Sequence, residues 1–268
     1  MLGALGLCGI LLMIAGAPVI VSMNPLAQDV SLARLAPFSL RALETGHPLG
    51  TDHLGRDLLS RMLYGGRVSL LVGVAGVVLA GAFGVTVGLT AGYFGGWTEI
   101  AAMRLVDVQL AIPTMLLAMG LMATMGPSLP NVIVVMGVTS WIVYARTARA
   151  VTLVLKQLQY VEAATCCGAD HWRVLFRHIL PNAWTPIIVI ATQQAAQLIL
   201  LEASLSFLGI GVPPQIPTWG RMIAEGRNYL TSAWWLSTVP GLALMVTVLA
   251  LNFFGDGVRD TLDPKLRM

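Results

Sequence analysis

Five long stretches of this chain carry no Asp, Glu, Lys or Arg: Met1 to Gln28, Val68 to Thr98, Val108 to Ala145, the run between Arg177 and Glu202, and Asn228 to Gly255. Crossing the roughly 30 Å hydrocarbon core of a bilayer takes about 20 predominantly apolar residues. Each run is long enough for that. The third has room for two spans around a turn at Gly126-Pro127-Ser128-Leu129-Pro130-Asn131, so six spans are expected. Composition agrees: 56% of the residues are hydrophobic and 11% are charged, whereas a soluble domain carries about 25% charged residues. With a mean hydropathy of +0.78, a soluble fold could not cover the apolar surface.

The first run competes with a cleaved signal peptide, because Ala15-Gly16-Ala17 resembles a small-residue cleavage site. The missing basic n-region favours a span, and raises the expectation of either a natural start further upstream or an unusually abrupt beginning. Basic residues do not set the orientation. With the loop after the fourth span inside, nine fall inside and seven outside, with Arg56, Arg61 and Arg67 on the outer side. A net charge of +3 without a basic, aromatic-interleaved stripe argues against nucleic acid as a partner. Cys8, Cys166 and Cys167 form no disulfide framework.

Between the runs, Ser22 to Arg67 reads as a polar connection. At its end, Leu58, Leu59 and Met62 lie on one side of a short amphipathic helix over Arg56 to Met62, and Arg56, Asp57, Ser60 and Arg61 lie elsewhere. That pattern predicts a helix lying near the membrane interface. In the second span, Gly84, Gly88 and Gly92 stack on one face and permit close approach by another helix. The loop from Arg146 to Pro181 is too polar for lipid and predicts two short helices meeting at Gly168. Asp170 is placed as the N-cap of the second, with Trp172, Leu175, Phe176 and Ile179 on one face and Arg173 and Arg177 opposite.

Absences narrow the chemistry. The only lysines, Lys156 and Lys265, stand outside any P-loop pattern, so a nucleotide has to be bound by another chain. All four histidines, His47, His53, His171 and His178, are expected in loops, which disfavours an intramembrane hydrolase. His47 and His53 flank Asp52, but no cysteine or second histidine cluster completes a metal site. No cofactor or metal is expected.

The stretch Glu162-Ala163-Ala164-Thr165-Cys166-Cys167-Gly168, followed by His178-Ile179-Leu180-Pro181, resembles the EAA signature of the membrane subunits of binding-protein-dependent ABC importers. His178 stands where an aliphatic residue is common, and Cys166-Cys167 replace small or aliphatic residues. Three further stretches resemble the C-type membrane subunit of the dipeptide, oligopeptide and nickel permeases: His47 to Asp57, Gly92 to Trp97 running on to Met103-Arg104-Leu105-Val106-Asp107, and Gly255 to Asp260. The resemblance covers nearly the whole chain.

It implies an all-α integral membrane protein with the six-helix fold of type I ABC importer permeases, in a bacterial inner membrane. The expected parts are a first transmembrane helix (1–22), an extracytoplasmic connection (23–67), a five-span core (68–256) containing the cytoplasmic EAA loop (about 146–181), and a cytoplasmic tail (257–268). Glu162, Ala163, Ala164, Gly168, Ala169 and Asp170 are the expected ATPase-coupling residues, Gly168 allowing a turn where a side chain would obstruct. The loop Pro213 to Gly220, too proline-broken to span, is expected to face outward, with Trp219, Arg221 and Glu225 contacting a substrate-binding protein. A second homologous permease subunit, two ATPase subunits and membrane lipid complete the expected partners.

Polar residues within spans are the default pathway candidates. On the fifth span these are Gln193, Gln194, Gln197, Glu202 and Ser204, with Gln193 and Gln197 on one face. The glutamines read more readily as interhelical hydrogen-bond partners than as cargo ligands. Glu202 is expected to meet either a cargo ammonium or an arginine of a partner. Peptides are the expected cargo by analogy with the subfamily, with nickel, a glutathione-like compound or an opine as alternatives. A passive channel or scaffold, needing no ATPase, is the competing function class.

Overall fold

The computed structural model describes residues 2–21 and 23–262. Lys265 and the second half of the expected 257–268 tail, residues 263–268, lie outside the described residues. Within them the chain is helical. The N-terminal part comprises α1 (Leu2–Ala15), α2 (Ala17–Ile20) and α3 (Leu40–Glu44). The bundle is built from α4 (Leu58–Phe94), α5 (Gly96–Leu110), α6 (Thr114–Met125) and α7 (Leu129–Leu155). Then come α8 (Gln159–Cys166), α9 (His171–Arg173), a π-helical turn (Val174–Ile179), α10 (Leu180–Phe207), α11 (Trp219–Gly226) and α12 (Trp235–Leu262).

Four helices are long and apolar enough to cross a membrane: α4, α7, the continuous His171–Phe207 rod that contains α10, and α12. The third expected span is instead a bent pair, α5 and α6 meeting at 89°. The cause is local, because Pro113 lacks an N–H and pushes Ile112 away from helical geometry. α1 has 14 residues, about 21 Å of rise, and does not cross the core alone. The six expected spans are thus four, five with the bent pair, and the short apolar α1 in addition. His171 and His178, expected in a loop, belong to the His171–Phe207 rod.

α4 is the central helix, and its glycines decide what lies against it. A Cβ at Gly84 would sit 2.2 Å from the Trp141 carbonyl oxygen, and one at Gly88 2.3 Å from that of Ala145. At Gly92 it would meet Thr152 Cβ at 2.8 Å. The Gly84-Gly88-Gly92 face therefore lies directly on the α7 backbone, as its spacing predicts. Further along, Gly73 receives Ile199 and Gly76 receives Met136 and Leu198, which brings α10 onto the same helix. α12 packs on α10 and α1.

The segment from Arg56 to Met62 is not an interfacial helix. Asp57 caps α4 by accepting from the Ser60 N–H (2.7 Å), and α4 runs on from there without a break. The polar side of the expected amphipathic helix points inward: Arg56, Asp57, Ser60 and Arg61 are all buried. Their compensation comes from distant sequence. Asp52 accepts from both Arg56 and Arg61, and Glu225 on α11 accepts from both guanidiniums at 2.9 Å. His47 Nδ1 lies 2.9 Å from Asp57. Burial raises the Asp52 and Glu225 carboxyls, but the Arg61 and Arg56 charges outweigh it, and both are held below the usual carboxylate range. The network locks the 47–57 segment onto α11.

Candidate functional site

A cavity of about 760 Å³ opens between α6, α7, α10 and α12, within the usual range for small-molecule sites. α10 contributes Gln193, Gln194, Gln197 and Ser204; α7 contributes Thr139 and Ser140; α12 contributes Asn252 and Asp256; and α6 contributes Thr114. From Gln193 to Ser204 the lining follows α10 for about 16 Å. α12 is brought close by Gly255, where a Cβ would stand 2.6 Å from Thr192 Oγ1. That contact places Asp256 and Gln193, the next residue on each helix, at the same end of the cavity.

The glutamines are not interhelical partners within this chain. Among the described residues, the side chains of Gln193, Gln194, Gln197 and Asn252 find no hydrogen-bond partner, and Asp256 has neither a hydrogen bond nor an ion pair. An unsatisfied carboxamide at membrane depth costs several kcal/mol. Gln193, Gln197 and Asn252 are exposed in this chain and Gln194 is half-buried, so the four carboxamides are open to water, a polar ligand or a partner subunit.

Glu202 is elsewhere. It is fully buried, outside the cavity lining, and accepts from Ser206 Oγ at 2.7 Å and Ser69 Oγ at 3.3 Å. Ser69 Oγ also accepts from the Trp219 N–H at 3.3 Å. Glu202 therefore ties α4, α10 and the start of α11 together, apart from the cavity, and no arginine among the described residues pairs with it. Asn252, Asp256, Thr139, Ser140 and Thr114 are the polar lining residues that sequence reasoning missed. A signal was present on α12, since Asn252 and Asp256 are spaced i, i+4 and so share a face.

Trp219 is also displaced from its expected role. Its side chain is buried, with the indole N–H donating to the Met62 carbonyl at 2.9 Å. Glu225 is occupied by Arg56 and Arg61, and by Arg221 at 3.2 Å. Of the three expected binding-protein contacts, Arg221 has the most exposed side chain, at 23%.

In the coupling segment, Val161 is buried and anchors α8, while Glu162, Ala163, Gly168 and Asp170 are exposed and Ala164 and Ala169 half-buried. Gly168 has φ +78° and nothing within 4 Å of a Cβ. The glycine is required by the left-handed backbone and not, as expected, by crowding. Asp170 caps the next helix, accepting from the Trp172 N–H at 3.2 Å. The π turn then changes the expected face. Val174, Leu175 and Ile179 are buried, whereas Trp172 and Phe176 are exposed and stack on each other, ring centroids 6.0 Å apart.

The chain matches the family described as "binding-protein-dependent transport system inner membrane component" over residues 84–268. It is 46% identical to the glutathione transport system permease protein GsiD of Pectobacterium atrosepticum over 83% of this chain and 74% of that one. It is 41% identical to the di/tripeptide transport system permease protein DppC of Pseudomonas aeruginosa, covering 94% of this chain and 83% of that one. Identity is also 41% with the probable D,D-dipeptide transport system permease protein DdpC of Escherichia coli, over 95% and 84% of the two chains. A structure of the MetNI methionine ABC transporter in an inward-facing conformation shares the fold, with TM-score 0.61 at 17% identity over 76% of this chain and 96% of that chain. With the multi-pass apolar helices and these matches together, the chain belongs to the binding-protein-dependent transport system inner membrane components, the membrane subunits of ABC importers.

Proposed function

We propose that this subunit is one of two permease halves of an importer of di- and oligopeptides, and that the cavity between α6, α7, α10 and α12 is its share of the path. The observation that carries the reading is the set of four unpartnered carboxamides. Each offers both donors and an acceptor, the complement of a peptide bond. Such a lining binds backbone whatever the cargo side chains are. The similarity to permeases named for di/tripeptide and D,D-dipeptide transport supports the same cargo. A glutathione-type tripeptide is the second reading, favoured by the 46% identical relative.

ATP hydrolysis on this reading belongs to two separate ATPase subunits, in keeping with a chain whose two lysines lie outside any P-loop pattern. The exposed residues of the coupling segment, Glu162, Ala163, Gly168 and Asp170, meet those subunits in the cytosol, with Ala164 and Ala169 beneath them. Swinging a transporter from 1:99 to 99:1 between two states takes about 5.5 kcal/mol of differential affinity, and α8 is where it enters. The substrate-binding protein docks on the opposite side, near Arg221.

The test is ATP-dependent uptake of a labelled dipeptide by proteoliposomes holding the assembled transporter and its binding protein. The double variant Gln193→Ala, Gln197→Ala is expected to lower uptake about thirtyfold, as two lost hydrogen bonds of about 1 kcal/mol each would. Undiminished uptake, or a binding protein that carries a metal or a non-peptide solute by mass spectrometry, would overturn the reading.

A further inference from the structure

The cavity has a polarity along its length that the peptide reading does not by itself require. We infer that Asp256 is its cation-recognising end, where a carboxylate meets the ammonium group of the cargo. This rests on the cavity being the cargo path.

Asp256 is the one ionisable residue among those lining the cavity; every other polar group there is a carboxamide or a hydroxyl. This half of the path therefore carries a formal negative charge and no positive one. The carboxylate is also free. Arg259, three residues further along the same helix, does not pair with it, and no other described residue does. Asp256 is exposed at the end of the charge-free run that closes at Gly255, and is the first charge that cargo lying along the carboxamides would meet there.

Its neighbours give the order of contacts. The Gly255–Thr192 approach holds Asp256 at the Gln193 end, and Asn252 stands one helical turn away on α12. Gln194 and Gln197 then continue along α10. A charge acceptor followed by carboxamides matches an amino terminus followed by peptide bonds, which recur every 3.3–3.6 Å or so along an extended chain. The cavity thus selects cargo with an unblocked ammonium group over N-acylated or purely anionic cargo.

The experiment uses the assembled transporter in nanodiscs, with Cys8, Cys166 and Cys167 changed to Ser and Gln197→Cys as the reporter. The readout is the maleimide labelling rate in the presence of dialanine or N-acetyl-dialanine. Dialanine is expected to slow labelling at lower concentration than its acetylated form. Asp256→Asn should raise the half-protecting concentration of dialanine about tenfold, the loss of one charge-assisted hydrogen bond, and leave N-acetyl-dialanine unchanged. Asp256→Glu should retain dialanine protection, which separates loss of charge from loss of assembly. Equal protection by both peptides, or an Asp256→Asn shift that is absent or equal for the two, overturns the assignment. Protection by neither peptide removes the cargo-path reading itself.

Discussion

The α4–α7 contact yields the sharpest quantitative expectation, because three glycines on one helix face different surroundings. At Gly88 a Cβ would lie 2.3 Å from the Ala145 carbonyl oxygen, and at Gly84 2.2 Å from that of Trp141; both obstacles are backbone. Ordinary contact begins near 3.4 Å, so Gly88→Ala forces the two helices apart by about 1 Å. Overpacking of this kind costs about 1–3 kcal/mol, and a gap of that size forfeits a quarter to a half of the dispersion energy of the atoms it separates. The better helix propensity of alanine returns about 1 kcal/mol. The net expectation is a loss of about 1–2 kcal/mol for Gly84→Ala or Gly88→Ala. Gly81 is the internal control: its Cβ would find Tyr144 Cε1 at 3.6 Å, an ordinary contact, so Gly81→Ala should be neutral or stabilising by up to about 1 kcal/mol. Unfolding in mixed micelles titrated with SDS, followed by tryptophan fluorescence, reads the difference, since Trp141 sits in this contact. Equal midpoints for Gly81→Ala and Gly88→Ala would refute the close packing.

Two further outcomes follow from the ends of the bundle. Asp52 and Glu225 have carboxyls lowered in the folded protein, so their stabilising contribution is fully present above the ordinary carboxylate range and is lost as pH falls through the folded values, below about pH 4. Amide exchange at Leu54 and Arg56, whose N–H groups donate to Asp52, should stay protected from pH 8 to 5 after correction for intrinsic rates. Loss of protection within that range would contradict the role given to Asp52 and Glu225. At the other end, Glu162→Lys should abolish copurification of the ATPase, and Gly168→Ala should weaken it through a left-handed strain of about 1–2 kcal/mol, both leaving the permease folded by circular dichroism. Normal copurification of both variants would remove α8 from the coupling role.

Features that a helix encodes within itself were legible in the sequence. The charge-free runs located the apolar helices, the Gly84-Gly88-Gly92 spacing located a packing face, and Asp170 was recognisable as a cap from its neighbours alone. What failed depends on contacts between distant segments. Arg56 and Arg61 look like solvent-facing charges until Glu225 arrives from α11, more than 160 residues later. Glu202 looks like a pathway group until Ser69 covers it. The α5–α6 bend has a sequence cause in Pro113, yet a proline in an apolar run predicts a kink as readily as a right angle. The cavity was half visible: the α10 face follows from i, i+4 spacing, but its partner face on α12 is set by the meeting of Gly255 with Thr192.

A cysteine scan of α10 from residue 192 to 205, in the assembled transporter with and without cargo, tests the path most directly. Labelling that is slowed by cargo at positions 193, 194, 197 and 204, and absent at the buried positions 196, 199 and 202, is the predicted pattern. Reaction at position 202 with no cargo effect at the three glutamine positions would contradict it.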